Sequence, residues 1–394
     1  MKNWGDLVKY IYICNAVPEL VNNALNQSVA GNKFSLNMGI ALDKQLNGEL
    51  MFLTVGTIDE ENLKICSNEI WPTKKIVQIK RGKRFVIKDL VLRNNLKKRL
   101  KEIRSSFPKE EITIIIENAP FAVATACKQL KKKLNFSCYS CVIDTPFVAF
   151  SNKGLKGKIN AYLFNSGIRA LKNFDGIISF TEDVMKELKV KARFLPFAIG
   201  CNKEDLPKKD FKPQISSQKD AVYAGTLIYY NGIEQLLNAY KLLGEEYKLH
   251  IYGYGPLEEM VERAEQENSN IFYHGRFNPE ETNKILGKYE LLINPRLIDK
   301  SIENFTFPSK LIDYMLTGKS VLTSNFKTMP NEYKKFLYVL DNMKEQTIAE
   351  GVRRIFEDDV LTREQRGLQA IEYIKEHQLY DKISEKIIKF CEEK

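Results

Sequence analysis

Histidine and tryptophan are scarce in this chain, and cysteine forms no recognisable framework. The 394 residues include three histidines, two tryptophans and seven cysteines. The cysteines are odd in number and scattered, so we expect reduced thiols rather than a disulfide scaffold. Cys138 and Cys141 form a CxxC, but a zinc site needs a second ligand pair. We therefore expect these two cysteines to lie in a strand and expect no bound metal.

Long apolar segments are also absent. No run of eighteen apolar residues occurs, so no transmembrane helix is expected. The first ten residues include Asp6 and lack the apolar core of a signal peptide. A hydrophobic content of 44% with 28% charged residues is typical of a soluble globular protein. We expect a cytoplasmic protein whose length suits two domains.

The net charge of +10 is unevenly distributed, with lysine and arginine dominant between Lys74 and Lys109. This surplus fits a solvated helix face, an anionic lipid surface or acceptor, or a nucleic acid. No nucleic-acid motif accompanies it, so no nucleic-acid partner is expected. The predicted helix over 88–107 places its apolar residues among cations, as in a surface helix on a core or a peripheral helix at an anionic membrane. Those apolar residues are Leu90, Leu96, Leu100 and Ile103.

Strands and helices alternate along the chain, a pattern that predicts parallel α/β sheets. We expect one domain over 1–200, a proline- and lysine-containing linker over 201–220, and a second domain over 221–375. Residues 376–394 predict a helix that can cross back to the first domain.

Three glycine turns follow successive strands of the second domain, at Gly225, Gly253–Gly255 and Gly275. Glycine lets a ligand approach the backbone closely, and ligands of open α/β sheets bind outside the carboxyl ends of strands. The three turns predict one cleft, and their spacing differs from the GxGxxG of dehydrogenases. Arg296 ends the next strand, where arginine suits phosphate binding or a surface ion pair with Asp299 or Glu303.

A further helix is predicted where the sequence reads FPSKLIDYMLTG. Pro308 fits its first turn, Thr306 or a neighbour would cap it, and free N–H groups there suit a phosphate. The positive charge of Lys310 in the first turn is repelled by the positive end of the helix dipole. A bound anion would remove this repulsion. Ser309 and Asp313 share one face, which suits a diphosphate and a ribose. The alternative is a structural helix with Lys310 and Asp313 in solvent.

In the first half, Glu117 and Asp144 each follow an apolar strand, and Gly31 precedes a predicted helix over 34–47. An acid at a strand's carboxyl end faces a cleft or caps the next helix. We favour the cleft for Asp144 and leave Glu117 open. The glycine can face a phosphate or make a turn, and we favour the turn.

Taken together, the segments of the second half resemble the retaining GT-B glycosyltransferases of group 1, or family 4. The first half shares with that family only the strand–helix rhythm, Gly31 and Asp144. The segments that carry the resemblance, in the family's order, are 223–227, 232–239, 250–255, 274–277, 292–296 and 307–318.

The resemblance implies two Rossmann-like domains facing across a cleft, the N-terminal one binding the acceptor. The C-terminal domain would bind a nucleotide sugar, commonly UDP-linked, without a metal or cofactor. Arg296 and Lys310 would contact the diphosphate, as would the backbone near Thr306 and Phe307, and Asp313 would contact the ribose. The other residues expected to line the nucleotide are Phe277, beside the base, and Gly225, Thr226, Gly253, Tyr254, Gly255 and Ser309.

The chain departs from the family pattern at two places. The family often has two glutamates separated by seven residues. Here Asp313 stands for the second and the first falls on Phe305, so that Glu303 or Asn304 would substitute. The family often has Lys-Gly in the first glycine segment, where this chain has Asn-Gly. The tripeptide PSK, residues 308–310, is similar to the sequence at this place in the branch of the family that makes capsular and other surface polysaccharides.

The expected function is sugar transfer from a nucleotide diphosphate to a glycan or lipid-linked acceptor, with retention, in surface polysaccharide or glycoconjugate synthesis. Arg296, Lys310 and helix N–H groups would stabilise the leaving diphosphate, and Asp144 would orient the acceptor. Two alternatives stay open: a nucleotide-sugar epimerase with the same donor site, and a non-catalytic partner subunit, which the departure at Phe305 would suit.

Overall fold

The computed structural model of the protein describes residues 8–17, 29–56, 76–82, 87–144, 154–277, 281–298 and 303–393. The chain divides into two compact units. The first unit comprises Met1–Ala198, Asn304–Phe307 and Tyr380–Lys394. The second unit comprises Ile199–Glu303 and Pro308–Leu379.

Strands and helices alternate in both units, as the sequence predicts. The strands are β1 (Val8–Cys14), β2 (Met51–Thr54), β3 (Ile76–Gln78), β4 (Glu111–Glu117), β5 (Phe136–Val142), β6 (Gly176–Ser179), β7 (Arg193–Pro196), β8 (Asp220–Ala224), β9 (Lys248–Tyr252), β10 (Ile271–Tyr273), β11 (Leu291–Asn294), β12 (Ser320–Ser324) and β13 (Tyr338–Leu340). The α-helices are α1 (Val29–Gln45), α2 (Ile87–Ser106), α3 (Phe121–Leu134), α4 (Leu155–Leu171), α5 (Asp183–Leu188), α6 (Ile233–Lys241), α7 (Glu258–Glu267), α8 (Thr282–Leu286), α9 (Lys310–Leu316), α10 (Glu345–Glu357), α11 (Val360–His377) and α12 (Tyr380–Glu392).

The first unit is built on a seven-stranded parallel sheet in the order β3-β2-β1-β4-β5-β6-β7. Its central strand β4 is buried from Ile112 to Glu117, as expected of a parallel strand covered on both faces. Cys138 and Cys141 lie buried in β5, in agreement with the interpretation as strand cysteines. Helix α12 belongs to this unit, where Phe390 packs edge-on against Tyr139 at 5.7 Å between ring centroids.

Helix α2 carries the basic segment, and its apolar stripe is part of the core of the first unit. Leu96, Leu100 and Ile103 are buried there, together with Leu92. The interpretation as a surface helix on a domain core is therefore correct. These side chains are not available for insertion into a membrane interface.

The second unit is built on a six-stranded parallel sheet in the order β10-β9-β8-β11-β12-β13. The segment 201–220, which we expected to be a linker, is packed within this unit. The ammonium group of Lys319 donates to the carbonyl of Gln214 and lies 3.0 Å from the Glu290 carboxylate. Arg363 donates to the Ser216 carbonyl at 2.9 Å. Polar contacts thus fix a segment whose composition resembles that of a flexible connection.

Gly31 lies inside the first turn of α1, because the helix begins at Val29 and not after the glycine. The prediction of a turn at Gly31 is therefore wrong. None of the described helices is both long enough and apolar enough to span a bilayer.

Candidate functional site

The three glycine turns of the second unit lie side by side at the carboxyl edge of its sheet. The Gly225 N–H donates to the Tyr252 carbonyl at 2.9 Å, and the Gly253 N–H donates to the Gly275 carbonyl at 2.8 Å. Gly253 has a φ of +149°, and a β-carbon there would overlap the carbonyl oxygen of Gly225. Only glycine permits this approach of two turns. The structure thus brings together the turns after β8, β9 and β10.

The ammonium group of Lys310 lies over the first of these turns. A β-carbon on Gly225 would be 3.3 Å from Lys310 Nζ, and the Nζ atom lies 4.1 Å from the centroid of the Tyr223 ring. Lys310 is half-buried as a residue, but its Nζ atom is buried and has no hydrogen-bond partner among the described residues. Buried ammonium groups are normally paired, so this one is suited to receive an anion.

Arg296 is the second cation of this site. It is half-buried after β11, and burial lowers its pKa. Burial, and secondarily the positive charge of Arg296, lower the pKa of Lys310 to about 7. Neither cation forms an ion pair with a described residue: Glu303 is half-buried without one, and Asp299 lies outside the described residues. Two neighbouring cations with no carboxylate partner among the described residues form a site that favours a doubly charged anion such as a diphosphate.

Two tyrosines that sequence reasoning missed support the turn after β8. The Tyr223 hydroxyl donates to the Thr226 carbonyl at 2.8 Å. The Tyr314 hydroxyl, from α9, lies 3.1 Å from the Ala224 N–H, which donates to it. The Asn231 amide donates to the same Thr226 carbonyl at 2.8 Å and so helps to position the loop. No sequence signal links these residues, because their contacts join distant elements.

Helix α9 begins later than the sequence suggests. Ser309 is its N-cap residue, its side chain makes no capping hydrogen bond, and the helix has seven residues from Lys310. The N–H groups of Leu311 and Ile312 donate to the carbonyls of Pro308 and Ser309. The N-cap residue is therefore Ser309, and the prediction that Thr306 caps the helix is wrong. These two N–H groups are therefore not free for a phosphate.

Asp313 is half-buried on α9, one turn after the half-buried Ser309, as the helical spacing predicts. Its neighbours Ile312 and Tyr314 are buried, so the chain there is firmly held. Contact of Asp313 with a ribose stays a prediction.

The opposite end of the row of turns is aromatic. Phe277 follows the Gly275 turn and packs edge-on against Tyr252, with 6.0 Å between ring centroids. Tyr254, between Gly253 and Gly255, is half-exposed and carries the Arg276 guanidinium 3.9 Å from its ring centroid. Flat aromatic surfaces of this kind suit a nucleobase.

The segment before α9 uses its side chains for packing in the first unit. Phe305 is completely buried in the core of that unit, and Phe307 stacks on Phe180 with 5.8 Å between ring centroids. The Asn304 amide donates to the Glu187 carboxylate. The Asn304 amide nitrogen thus has a partner, whereas its amide oxygen has none among the described residues. The expectation that Glu303 or Asn304 substitutes for the family's first glutamate stays a prediction.

Asp144 and Glu117 lie in the first unit, and neither is the N-cap residue of the next helix that the structure describes. Asp144 is exposed just after β5, and its backbone N–H donates to the Asn118 amide oxygen at 3.1 Å. The next described helix begins at Leu155 with Gly154 as its N-cap residue. The capping alternative is thus excluded for α4, whereas the role of Asp144 toward an acceptor stays a prediction.

Glu117 is buried rather than directed into a cleft. Its carboxylate accepts hydrogen bonds from the Tyr12 hydroxyl and from the Ser35 hydroxyl, the latter at 2.6 Å. Helix α3 has Pro120 as its N-cap residue, so Glu117 does not cap it. Burial raises the pKa of this carboxyl to about 7, although both hydrogen bonds lower it.

The part of the chain that the structure describes holds no group of three histidine, cysteine, aspartate or glutamate side chains arranged to bind a metal ion. The cations described at the candidate site are the side chains of Arg296 and Lys310.

Comparisons with known proteins agree with this geometry. Residues 205–376 match the family described as "Glycosyl transferases group 1". Sucrose-phosphate synthase from Thermosynechococcus elongatus is 13% identical, with a TM-score of 0.68 and coverage of 97% of this chain and 98% of that one. A glycosyltransferase from Rickettsia africae is 13% identical, with a TM-score of 0.67 and coverage of 98% of both chains. Anabaena HepE in complex with UDP is 11% identical, with a TM-score of 0.64 and coverage of 97% and 99%. No curated protein sequence matches the chain.

The two parallel sheets and these similarities show that the chain has the GT-B fold. The match to the group 1 glycosyl transferase family, over residues 205–376, includes the glycine turns, Arg296 and Lys310.

Proposed function

We propose that the protein transfers a sugar from a UDP-sugar, and that Lys310 and Arg296 hold the diphosphate. The observation that carries this proposal is the buried ammonium group of Lys310 over the Gly225 turn, which has no hydrogen-bond partner in the part of the chain that the structure describes. An anion bound there would satisfy both cations at once. The related fold of Anabaena HepE was solved with UDP, and in a second structure with UDP and glucose, which supports this class of ligand.

The chemistry that these residues support is electrostatic stabilisation of the leaving group. The bond between the sugar's anomeric carbon and the phosphate oxygen breaks, and a new bond forms to the acceptor oxygen. Negative charge develops on the departing UDP, where Lys310 and Arg296 neutralise it. The leaving phosphate accepts the acceptor's proton, so that the products are the glycoside and UDP. This route requires no protein base and proceeds with retention of configuration.

The acceptor in this proposal is a glycan or a lipid-linked sugar of surface polysaccharide or glycoconjugate synthesis. Asp144 is the residue we assign to orient it, because its side chain is exposed after β5 and does not cap α4. A carboxylate at a strand's carboxyl end can accept a hydrogen bond from an attacking hydroxyl group.

For contact with a membrane we propose only electrostatic attraction. The apolar stripe of α2 is buried, and Arg104 of that helix donates to the carbonyls of Phe107 and Glu110. The exposed Lys98 and Lys101 remain for attraction to anionic headgroups, a peripheral and salt-sensitive contact. Co-sedimentation with anionic vesicles at low salt, lost at high salt, would support it, whereas equal binding to neutral vesicles would contradict it.

The proposed function is tested by incubating the protein with a panel of nucleotide sugars and following products by chromatography. Binding of UDP-sugars with slow release of free sugar and UDP is the expected result, because water replaces the missing acceptor. A new sugar isomer without hydrolysis would indicate an epimerase. Failure to bind any nucleotide sugar would indicate a non-catalytic subunit.

A further inference from the structure

Two neighbouring tyrosines of the second unit expose their rings next to the candidate site. Tyr229 is 55% exposed and Tyr230 is 51% exposed. Their rings contact each other edge-on, with centroids 5.9 Å apart and an interplanar angle of 75°. Neither hydroxyl group has a hydrogen-bond partner among the described residues. Adjacent exposed aromatic rings on a protein surface are typical of binding sites.

The turn that carries the tyrosines is held in place. Residues Tyr229–Asn231 form one 3₁₀ turn, and the Gly232 N–H donates to the Tyr229 carbonyl at 2.9 Å. The Tyr230 carbonyl accepts from the Leu297 N–H at 3.0 Å. Gly232 has a φ of +71°, and a β-carbon on it would overlap the Pro295 carbonyl. The backbone of the turn is therefore fixed against the segment that contains Arg296, and a ligand has only the two side chains left to order.

The position of this turn in the sheet indicates which part of a ligand it meets. Phe277 follows β10 at one end of the row of glycine turns, and the Lys310 ammonium lies over the turn after β8. The tyrosine turn bonds to the segment after β11, the next strand in the order β10-β9-β8-β11. A nucleotide with its base near Phe277 and its diphosphate at the cations would direct the sugar end toward the tyrosines.

A sugar ring also matches the surface chemistry of this turn. One face of a pyranose presents C–H groups that pack against the electron-rich face of an aromatic ring, while its hydroxyl groups stay hydrogen-bonded. We propose that Tyr229 and Tyr230 form a platform for one pyranose ring of the transfer reaction, belonging either to the donor sugar or to the acceptor. This proposal rests on the proposed function, because the diphosphate site defines the direction of the ligand.

The test compares Tyr229→Ala and Tyr230→Ala with the corresponding phenylalanine variants, which keep the rings. Tyr162→Ala is the matched control, because Tyr162 is 65% exposed on α4 of the first unit. Calorimetry measures the affinities for UDP, UDP-glucose and UDP-N-acetylglucosamine. Saturation-transfer NMR with UDP-saturated protein measures the binding of methyl glycosides of glucose, galactose, mannose and N-acetylglucosamine.

A donor platform predicts that the alanine variants lose about tenfold in UDP-sugar affinity while UDP affinity stays unchanged. An acceptor platform predicts unchanged UDP-sugar affinity and loss of the methyl-glycoside signals. Both results require that the phenylalanine variants and Tyr162→Ala behave like the wild type.

The proposal is overturned if the alanine variants match the wild type in both assays. It is also overturned if the wild type binds UDP-sugars no more tightly than UDP and gives no methyl-glycoside signal. Equal weakening of UDP and UDP-sugars would assign the tyrosines to the nucleotide instead, which also overturns it. Failure of the wild type to bind UDP at all is a different result, because it removes the proposed function itself.

Discussion

The ammonium group of Lys310 lies 4.1 Å from the centroid of the Tyr223 ring, buried and without a hydrogen-bond partner among the described residues. A cation–π contact of this kind contributes about 2 kcal/mol when desolvated, less than the several kcal/mol by which burial disfavours an ion. The free site therefore holds its cation under an electrostatic penalty that a bound anion would relieve.

UDP affinity is expected to fall as pH rises above 7. The free protein has a Lys310 pKa of about 7, and a bound diphosphate favours the charged lysine, so binding takes up a proton at higher pH. The Kd should rise up to about tenfold per pH unit between pH 7.5 and 9, where a phosphate with a second pKa of about 6 is already ionised. Calorimetric titrations across that range measure the slope.

Lys310→Met is the control for that pH dependence, because it removes the titrating group but keeps the side-chain length. Its UDP affinity should be weak and flat with pH. A slope equal to that of the wild type would assign the titration to another group.

Gly253→Ala is expected to disrupt the site, because its β-carbon would overlap the Gly225 carbonyl. The two turns would have to separate, so UDP binding should fall by at least about tenfold, and the free energy of unfolding should fall by more than about 2 kcal/mol. Gly275→Ala is the matched control, since its φ is +69° and nothing lies within 4 Å of the added carbon. Urea denaturation and UDP titration of both variants measure the effects, and equal losses in the two would contradict the close approach of the turns.

Much of this fold can be predicted from the sequence, whereas the site can be predicted only in part. Apolar runs followed by glycine identify β8, β9 and β10 together with their turns, because a buried parallel strand needs little beyond hydrophobicity. The strands β3, β7 and β13 have three or four residues and, unlike the equally short β10, are not followed closely by a glycine, so neither periodicity nor a turn marks them.

The residues around the site show the same limit. Lys310 is predictable as a cation at a helix start, whereas the Tyr223 ring beneath it depends on a contact between separate elements. Glu117 is undecided in sequence because its partner Ser35 lies 82 residues away. Burial and hydrogen bonding, and not local pattern, decide such roles.

Asp313→Ala is expected to weaken UDP binding about tenfold, the effect of one charge-assisted hydrogen bond to the ribose. The same variant should lose the preference for UDP over 2′-deoxy-UDP if the carboxylate contacts the 2′-hydroxyl group. Competition titrations with both nucleotides measure this. An unchanged affinity for UDP would place Asp313 outside the nucleotide site, and Asp210→Ala, an exposed position of the same unit, is the control.

Glu117→Gln is expected to reduce the pH dependence of stability of the first unit. The folded-state pKa, about 7, is above the ordinary glutamate pKa of 4.5, so the folded unit binds this proton more tightly than the unfolded chain. The resulting stabilisation is complete below pH 4.5 and is lost as pH rises through 7, a change on the order of 3 kcal/mol. Urea denaturation at pH 5 to 8 measures it, with Glu111→Gln at the exposed start of β4 as control. Parallel curves for the wild type and Glu117→Gln would contradict this assignment.

The most direct test of the diphosphate site is calorimetric titration of the wild type and of Lys310→Met with UDP, UMP and uridine at pH 7. The wild type should bind UDP at least about tenfold more tightly than UMP, because the second phosphate reaches Lys310 and Arg296. In Lys310→Met that difference should largely disappear, uridine affinity should be unchanged, and Lys284→Met, on the exposed surface of α8, should match the wild type. An undiminished preference for UDP in Lys310→Met would contradict the assignment of this lysine to the diphosphate.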